Sequence, residues 1–164
     1  MARCLIIGCG CRGRSLAEQL GIGGYATRGT TRDPGNRAQI EAAGAESFVG
    51  DPDLVGTIAG AFDQVSVVCI LLGSAVGSAE QVTALHGSRL TMLLDRMLDT
   101  TVRGVVYESA GSVDAAVLQA GATIVRTRCE RSSIPYALLT ADPRRHSSWL
   151  RAAVDAIEQL LGAR

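Results

Sequence analysis

Short apolar runs alternate along the chain with longer stretches in which apolar positions recur every three or four residues. Residues 4–7 are apolar and run straight into glycine, which reads as a buried strand. Helical spacing follows over 15–20, and a Thr-rich β-prone run over 25–32 ends in the turn Asp33-Pro34-Gly35. Residues 36–43 read as a short helix closed by Gly44, 46–49 as a third strand and 53–62 as a third helix. The run 65–72 is almost unbroken in its apolarity, as a strand covered on both faces must be. A long helix is expected over 79–98, a fifth strand over 105–107, a helix (or a helix followed by an irregular connection) over 113–129, a sixth strand over 134–139 and an amphipathic helix over 149–161.

Strictly alternating strands and helices imply parallel strands joined by right-handed crossovers, with helices on both faces. The expected fold class is therefore α/β: a doubly wound parallel sheet of about six strands in the order 3-2-1-4-5-6, in three αβα layers. A chain of 164 residues with no linker or repeat fits one domain over 1–164. Hydrophobic residues at 47% and charged residues at 20% fit a folded, cytoplasmic-type chain rather than a disordered one. Sixteen basic residues balance sixteen acidic ones, which argues against a general nucleic-acid or membrane binder.

Gly8-Cys9-Gly10-Cys11-Arg12-Gly13 completes a G-x-G-x-x-G between the first strand and the first helix. In that setting Gly8 permits the tight turn, Gly10 lets backbone approach a pyrophosphate, and Gly13 lets the helix pack closely on the strand. The helix N-terminus, with Cys11 and Arg12 in its first turn, offers unpaired N–H groups to the phosphates. This is the dinucleotide-binding Rossmann arrangement. The second strand addresses which dinucleotide. An NAD binder places an acid about 20 residues on, for the ribose 2′-OH. Here Thr31 and Arg32 occupy that place, and Arg12 is a second guanidinium suited to a 2′-phosphate. The expected cofactor is NADP. NAD is the alternative, because a shift in register would make Asp33 the ribose acid.

These residues resemble the atypical and extended short-chain dehydrogenase/reductase families, including the epimerase/dehydratase-like and NmrA-like branches. The resemblance spans most of the chain. It implies that Asp51, after the third strand, contacts the adenine amino group, and that Leu72 and Gly73 pass the cofactor ribose. It also places Ser109, at the end of the fifth strand, where the families carry an active-site serine. Residues 134–139 resemble the sixth strand, which leads into the substrate region.

Departures from the family pattern are equally specific. All sixteen basic residues are arginine, so the Tyr-x-x-x-Lys pair of those families has no lysine. Tyr25, Tyr107 and Tyr136 are followed four residues on by Gly29, Gly111 and Thr140. The chain reads as shortened, without the families' C-terminal substrate domain. The leading expectation is an NADP-binding module of regulatory or cofactor-sensing type. The alternative is an oxidoreductase or epimerase-like enzyme with a non-standard site drawn from Ser74, Glu108, Ser109 and Ser112. A weaker reading is redox sensing through Cys9 and Cys11. The five cysteines form neither a disulfide framework nor a metal set. His86 and His146 read as surface or capping residues. Val154, Ile157 and Leu161 of the last helix are expected to pack on the domain or on a second copy in a homodimer.

Overall fold

Residues 4–7 are apolar on both sides of the backbone because both sides are covered. In the computed structural model, which describes residues 2–162, Leu5 and Ile7 of β1 (Arg3–Ile7) join one core and Cys4 and Ile6 the other. All four are fully buried. β1 is flanked by β2 (Ala26–Thr31) on one side and β4 (Val67–Ile70) on the other, with Cys4 level with both Thr27 and Val67. β3 (Glu46–Val49) extends the sheet beyond β2, while β5 (Gly104–Glu108) and β6 (Tyr136–Leu139) extend it beyond β4. The six strands are parallel in the order 3-2-1-4-5-6, as the alternation predicted.

On one face α1 (Cys11–Ile22), α2 (Arg37–Ala42) and α6 (His146–Gly162) bury Leu16, Leu20, Ile40, Trp149 and Ile157 against the sheet. On the other, α4 (Ser88–Met97) and α5 (Ala115–Arg131) bury Leu90, Leu94 and Val125 against Leu5, Val68 and Val105. α3 (Ala79–Leu85) buries no residue fully and starts with a capping box between Ser78 and Gln81. Val154 and Leu161 pack half-buried against the α1–α6 core and Ile157 is fully buried, so this face of α6 covers its own sheet.

Three local expectations are corrected. The predicted helix over 53–62 is two 3₁₀ turns, Val55–Thr57 and Ala59–Phe62. Buried Val55, Ile58 and Ala61 repeat every three residues, the period of a 3₁₀ turn, and Gly56 and Gly60 weaken any α-helix. From β2, buried Arg28 reaches beneath this segment and donates to the carbonyls of Ala61 (2.7 Å) and Asp63 (2.8 Å). The expected helix over 79–98 breaks into α3 and α4 at His86-Gly87. Finally, the strand read over 65–72 pairs only across Val67–Ile70, although Leu71 still donates its N–H to Ile7.

Candidate functional site

Between β1 and β4 the chain departs toward opposite faces of the sheet, and this switch point is where a doubly wound fold opens a crevice. A cavity of about 400 Å³ lies there. It is lined by the β1–α1 loop, the ends of β2 and β3, the loop after β4, and α3.

Each glycine of the loop is constrained differently. Gly8 has φ +83°, and a Cβ there would stand 2.6 Å from the Leu71 carbonyl oxygen, so only glycine makes this turn. Gly13 holds α1 against β1, its missing Cβ lying 3.2 Å from Ile6 Cγ2. Gly10 is the opposite case: nothing stands within 4 Å of its Cβ position, and it faces the cavity. No side chain caps α1, and the N–H groups of Cys11, Arg12 and Gly13 have no acceptor within the described residues. A concave, glycine-lined wall with unpaired donors fits an anionic ligand approaching along the backbone.

At the far wall Thr31 Oγ1 accepts from the Asp33 N–H (3.2 Å) and the Asn36 side chain, and so organises the turn after β2. Asp33 is exposed and its carboxylate accepts from Gly35 N–H at 2.8 Å; it does not line the cavity. Arg32 lines it, exposed, with no hydrogen bond or ion pair among the described residues. Asp51 lines the cavity beyond the end of β3, with Oδ1 accepting from the Asp53 N–H. Leu72 forms part of the floor.

The two predicted phosphate-facing arginines both line the cavity, but only Arg32 keeps its guanidinium free of a protein partner among the described residues. Arg12 turns away from the end of β2 and donates through Nη2 to both carboxylate oxygens of Glu108, at 2.8 and 3.0 Å. Strands β1 and β4 lie between that pair and β2. Glu108 is fully buried and also accepts from Gly73 N–H (2.9 Å) and Trp149 Nε1–H (2.9 Å). The guanidinium of Arg12 sits 5.4 Å from the centroid of the Trp149 ring. Ser109 does not line the cavity: its hydroxyl points to the Leu139 carbonyl at 3.4 Å. Gly73 is also outside the lining.

His86 corrects the surface reading. It is buried, with Nε2 2.8 Å from the Leu72 carbonyl and Nδ1 2.6 Å from the Tyr107 hydroxyl. The carbonyl needs a donor, so Nε2 carries the proton and Nδ1 accepts from the phenol. Burial lowers the His86 pKa and raises that of Tyr107. Gly121 of α5 makes room for the phenol, since a Cβ there would collide with the hydroxyl. His146, the first residue of α6, is exposed as expected. Cys9 is buried under Gly29, and burial pushes its thiol up to about 11, so it does not act as a thiolate; Cys11 is exposed at the start of α1.

Sequence reasoning missed Gln81, Val82 and Leu85 of α3 and Asn36 as lining residues. It also missed the Arg12–Glu108–Trp149 cluster, since Glu108 stands 96 residues from Arg12 and 41 from Trp149 and no local pattern joins them. Among the described residues there is no group of three or more His, Cys, Asp or Glu that could hold a metal, and no helix long and apolar enough to cross a membrane.

No protein-family model matches the chain, and neither does any curated protein. Solved structures do match its fold. A short-chain dehydrogenase/reductase superfamily protein from Agrobacterium tumefaciens with bound NAD superposes with a TM-score of 0.69 at 20% identity, over 83% of this chain and 48% of that one. Vestitone reductase from alfalfa gives 0.66 at 18%, over 84% and 56%. The triphenylmethane reductase of Citrobacter sp., complexed with NADP(H), gives 0.63 at 19%, over 83% and 48%. The chain spans about half the length of these structures. Its fold is the Rossmann fold in the form found in short-chain dehydrogenase/reductase and epimerase structures.

Proposed function

We propose that this chain is an NADP(H)-binding module of regulatory or cofactor-sensing type, without the ordinary carbonyl chemistry of short-chain reductases. The observation that carries the reading is Arg32, an unpartnered guanidinium on the cavity wall where an NAD binder needs an acid. Asp33, the rival ribose ligand, is committed to the Gly35 N–H. In this reading the backbone of Gly8, Gly10, Cys11, Arg12 and Gly13 holds the pyrophosphate. Thr31 and Arg32 hold the 2′-phosphate, Asp51 meets the adenine amino group, and Leu72 and Gly73 pass the ribose. When bound, the cofactor would supply a nicotinamide able to carry hydride.

The non-catalytic part rests on what surrounds that end. Helices α3, α4 and α5, where the family's Tyr-x-x-x-Lys pair belongs, carry neither tyrosine nor lysine. Ser109 already donates to backbone. Calorimetric titration tests the binding half. Each charge-assisted hydrogen bond to the 2′-phosphate contributes roughly 1.5–3 kcal/mol, and 1.4 kcal/mol is a factor of ten. NADPH is therefore expected to bind at least about tenfold tighter than NADH. Arg32→Ala should erase most of that preference, and Gly10→Val should abolish binding of both without unfolding the chain. Wild-type preference for NADH, lost in Asp33→Ala, would instead make Asp33 the ribose ligand.

A further inference from the structure

The cavity ends at β4. Its walls come from the first half of the sheet, the loop after β4 and α3, and no residue of β5, β6, α5 or α6 takes part. A dinucleotide-binding sheet has two mononucleotide halves and holds one nucleotide on each, across the switch point. Here the first half is open and the second is closed by the protein's own contacts.

The closure is built from named groups. Glu108, at the end of β5, is fully buried and takes the Gly73 N–H, the Trp149 indole N–H and the Arg12 guanidinium. This joins the ends of β4 and β5 to α1 and α6. Beyond it, Val113 N–H donates to the Gly73 carbonyl (3.0 Å) and Ser112 N–H to Ser74 Oγ (3.3 Å). The 110–113 segment lies so close to the loop after β4 that a Cβ on Gly73 would strike the Ala110 carbonyl. Ser109 N–H donates to the Leu139 carbonyl (3.0 Å), binding β5 to β6 at the same level. Of the polar groups at this end, Glu108, Ser109 and Ser112 are bonded within the protein and lie outside the cavity, while Ser74, which accepts from Ser112, stands at its edge. The open volume of about 400 Å³ sits at the low end of the roughly 300–1,000 Å³ range of ligand pockets.

We infer that the site holds its ligand through the 2′-phosphorylated ADP half alone and leaves the nicotinamide in solvent. This rests on the dinucleotide-site reading above and narrows its ligand class to 2′-phosphorylated adenine nucleotides. A consequence follows for sensing. NADPH and NADP⁺ differ only at the ring that the protein does not hold, so the module responds to their sum and not to their ratio.

The test is titration of the full chain with 2′-phospho-ADP-ribose, NADPH, NADP⁺ and nicotinamide mononucleotide, with nicotinamide fluorescence followed in the NADPH arm. The expected result is that the first three bind within fivefold of one another. Nicotinamide mononucleotide should neither bind nor displace them, and bound NADPH should keep the emission of the free cofactor. A gap above fivefold between either cofactor and 2′-phospho-ADP-ribose, or a shifted emission at saturation, overturns the inference and leaves the dinucleotide reading standing. Failure of all four to bind overturns both.

Discussion

Arg12 shows how one side chain of the glycine loop can serve the fold while its backbone N–H stays unpaired at the cavity. Its N–H points out of the first turn of α1, and its guanidinium reaches back to a carboxylate with no solvent contact. Glu108 satisfies three donors with two oxygens, so each donor depends on the charge of the others' acceptor. Removing one partner of a buried pair costs about 3–5 kcal/mol, because the remaining charge is stranded. Arg12 is 26% exposed, which admits water and reduces that figure. Arg12→Met should cost about 2–3 kcal/mol in urea unfolding, with an unchanged m-value. Glu108→Gln should also destabilise the chain, because its amide would present a donor to one of three donors already there. A cost below about 0.5 kcal/mol for Arg12→Met would show that Glu108 is held by Gly73 and Trp149 alone.

Among the elements, the α3–α4 junction couples a buried histidine to the cavity floor. His86 donates to the carbonyl of Leu72, which lines the cavity, and accepts from Tyr107 of β5. Its pKa is lowered by burial, so the folded chain binds less proton than the unfolded one, whose histidine titrates near about 6.5. The contribution to stability is complete above that value. It declines as pH falls toward the folded pKa, by at most about 1.4 kcal/mol per pH unit for one proton, and ordinary carboxylates enter only lower, near about 4. Denaturant unfolding from pH 7.5 to 5 should show this loss, and His86→Gln, which keeps a donor and an acceptor, should flatten it. An unchanged slope in the variant would assign the effect elsewhere. The same elements show what the sequence disclosed. β1, the glycine loop and the strand order were legible because a doubly covered strand is apolar at every position and Gly8 and Gly13 have mechanical roles. The 3₁₀ segment was not, because a three-residue repeat over so short a stretch imitates a helical one, and Arg28's reach to Ala61 and Asp63 is invisible in a local window. The His86-Gly87 break was hidden because α3 and α4 are apolar in similar phase, and a buried histidine carries no local mark.

For the whole molecule, the division between an open first half and a stitched second half bears on chemistry. Carbonyl reduction needs a proton donor beside the hydride acceptor, and positioned acid–base groups contribute typically about 10²–10⁴ in rate. Arginine, which stands at all sixteen Lys/Arg positions of the chain, holds its proton too firmly to give it up. Ser109 is tied to Leu139. Tyr107 has a base within 2.6 Å, but the phenol is fully buried on the α4–α5 side and its pKa is raised by that burial, so no substrate reaches it. Asp142, half-buried and paired with Arg144, has its pKa lowered by that ion pair and stays ionised at neutral pH. A panel of aldehydes, ketones and quinones with NADPH should therefore give background oxidation, at least about a thousandfold below the typical enzyme median of about 10 per second. Ser109→Ala should leave both the background and NADPH affinity unchanged. Turnover near that median would overturn the non-catalytic reading, and the variants would then locate the acid. Loss in Ser109→Ala would point to the end of β5, whereas loss in Tyr107→Phe, with His86→Gln shifting the pH profile, would mean that the buried pair becomes accessible when the loop after β4 moves.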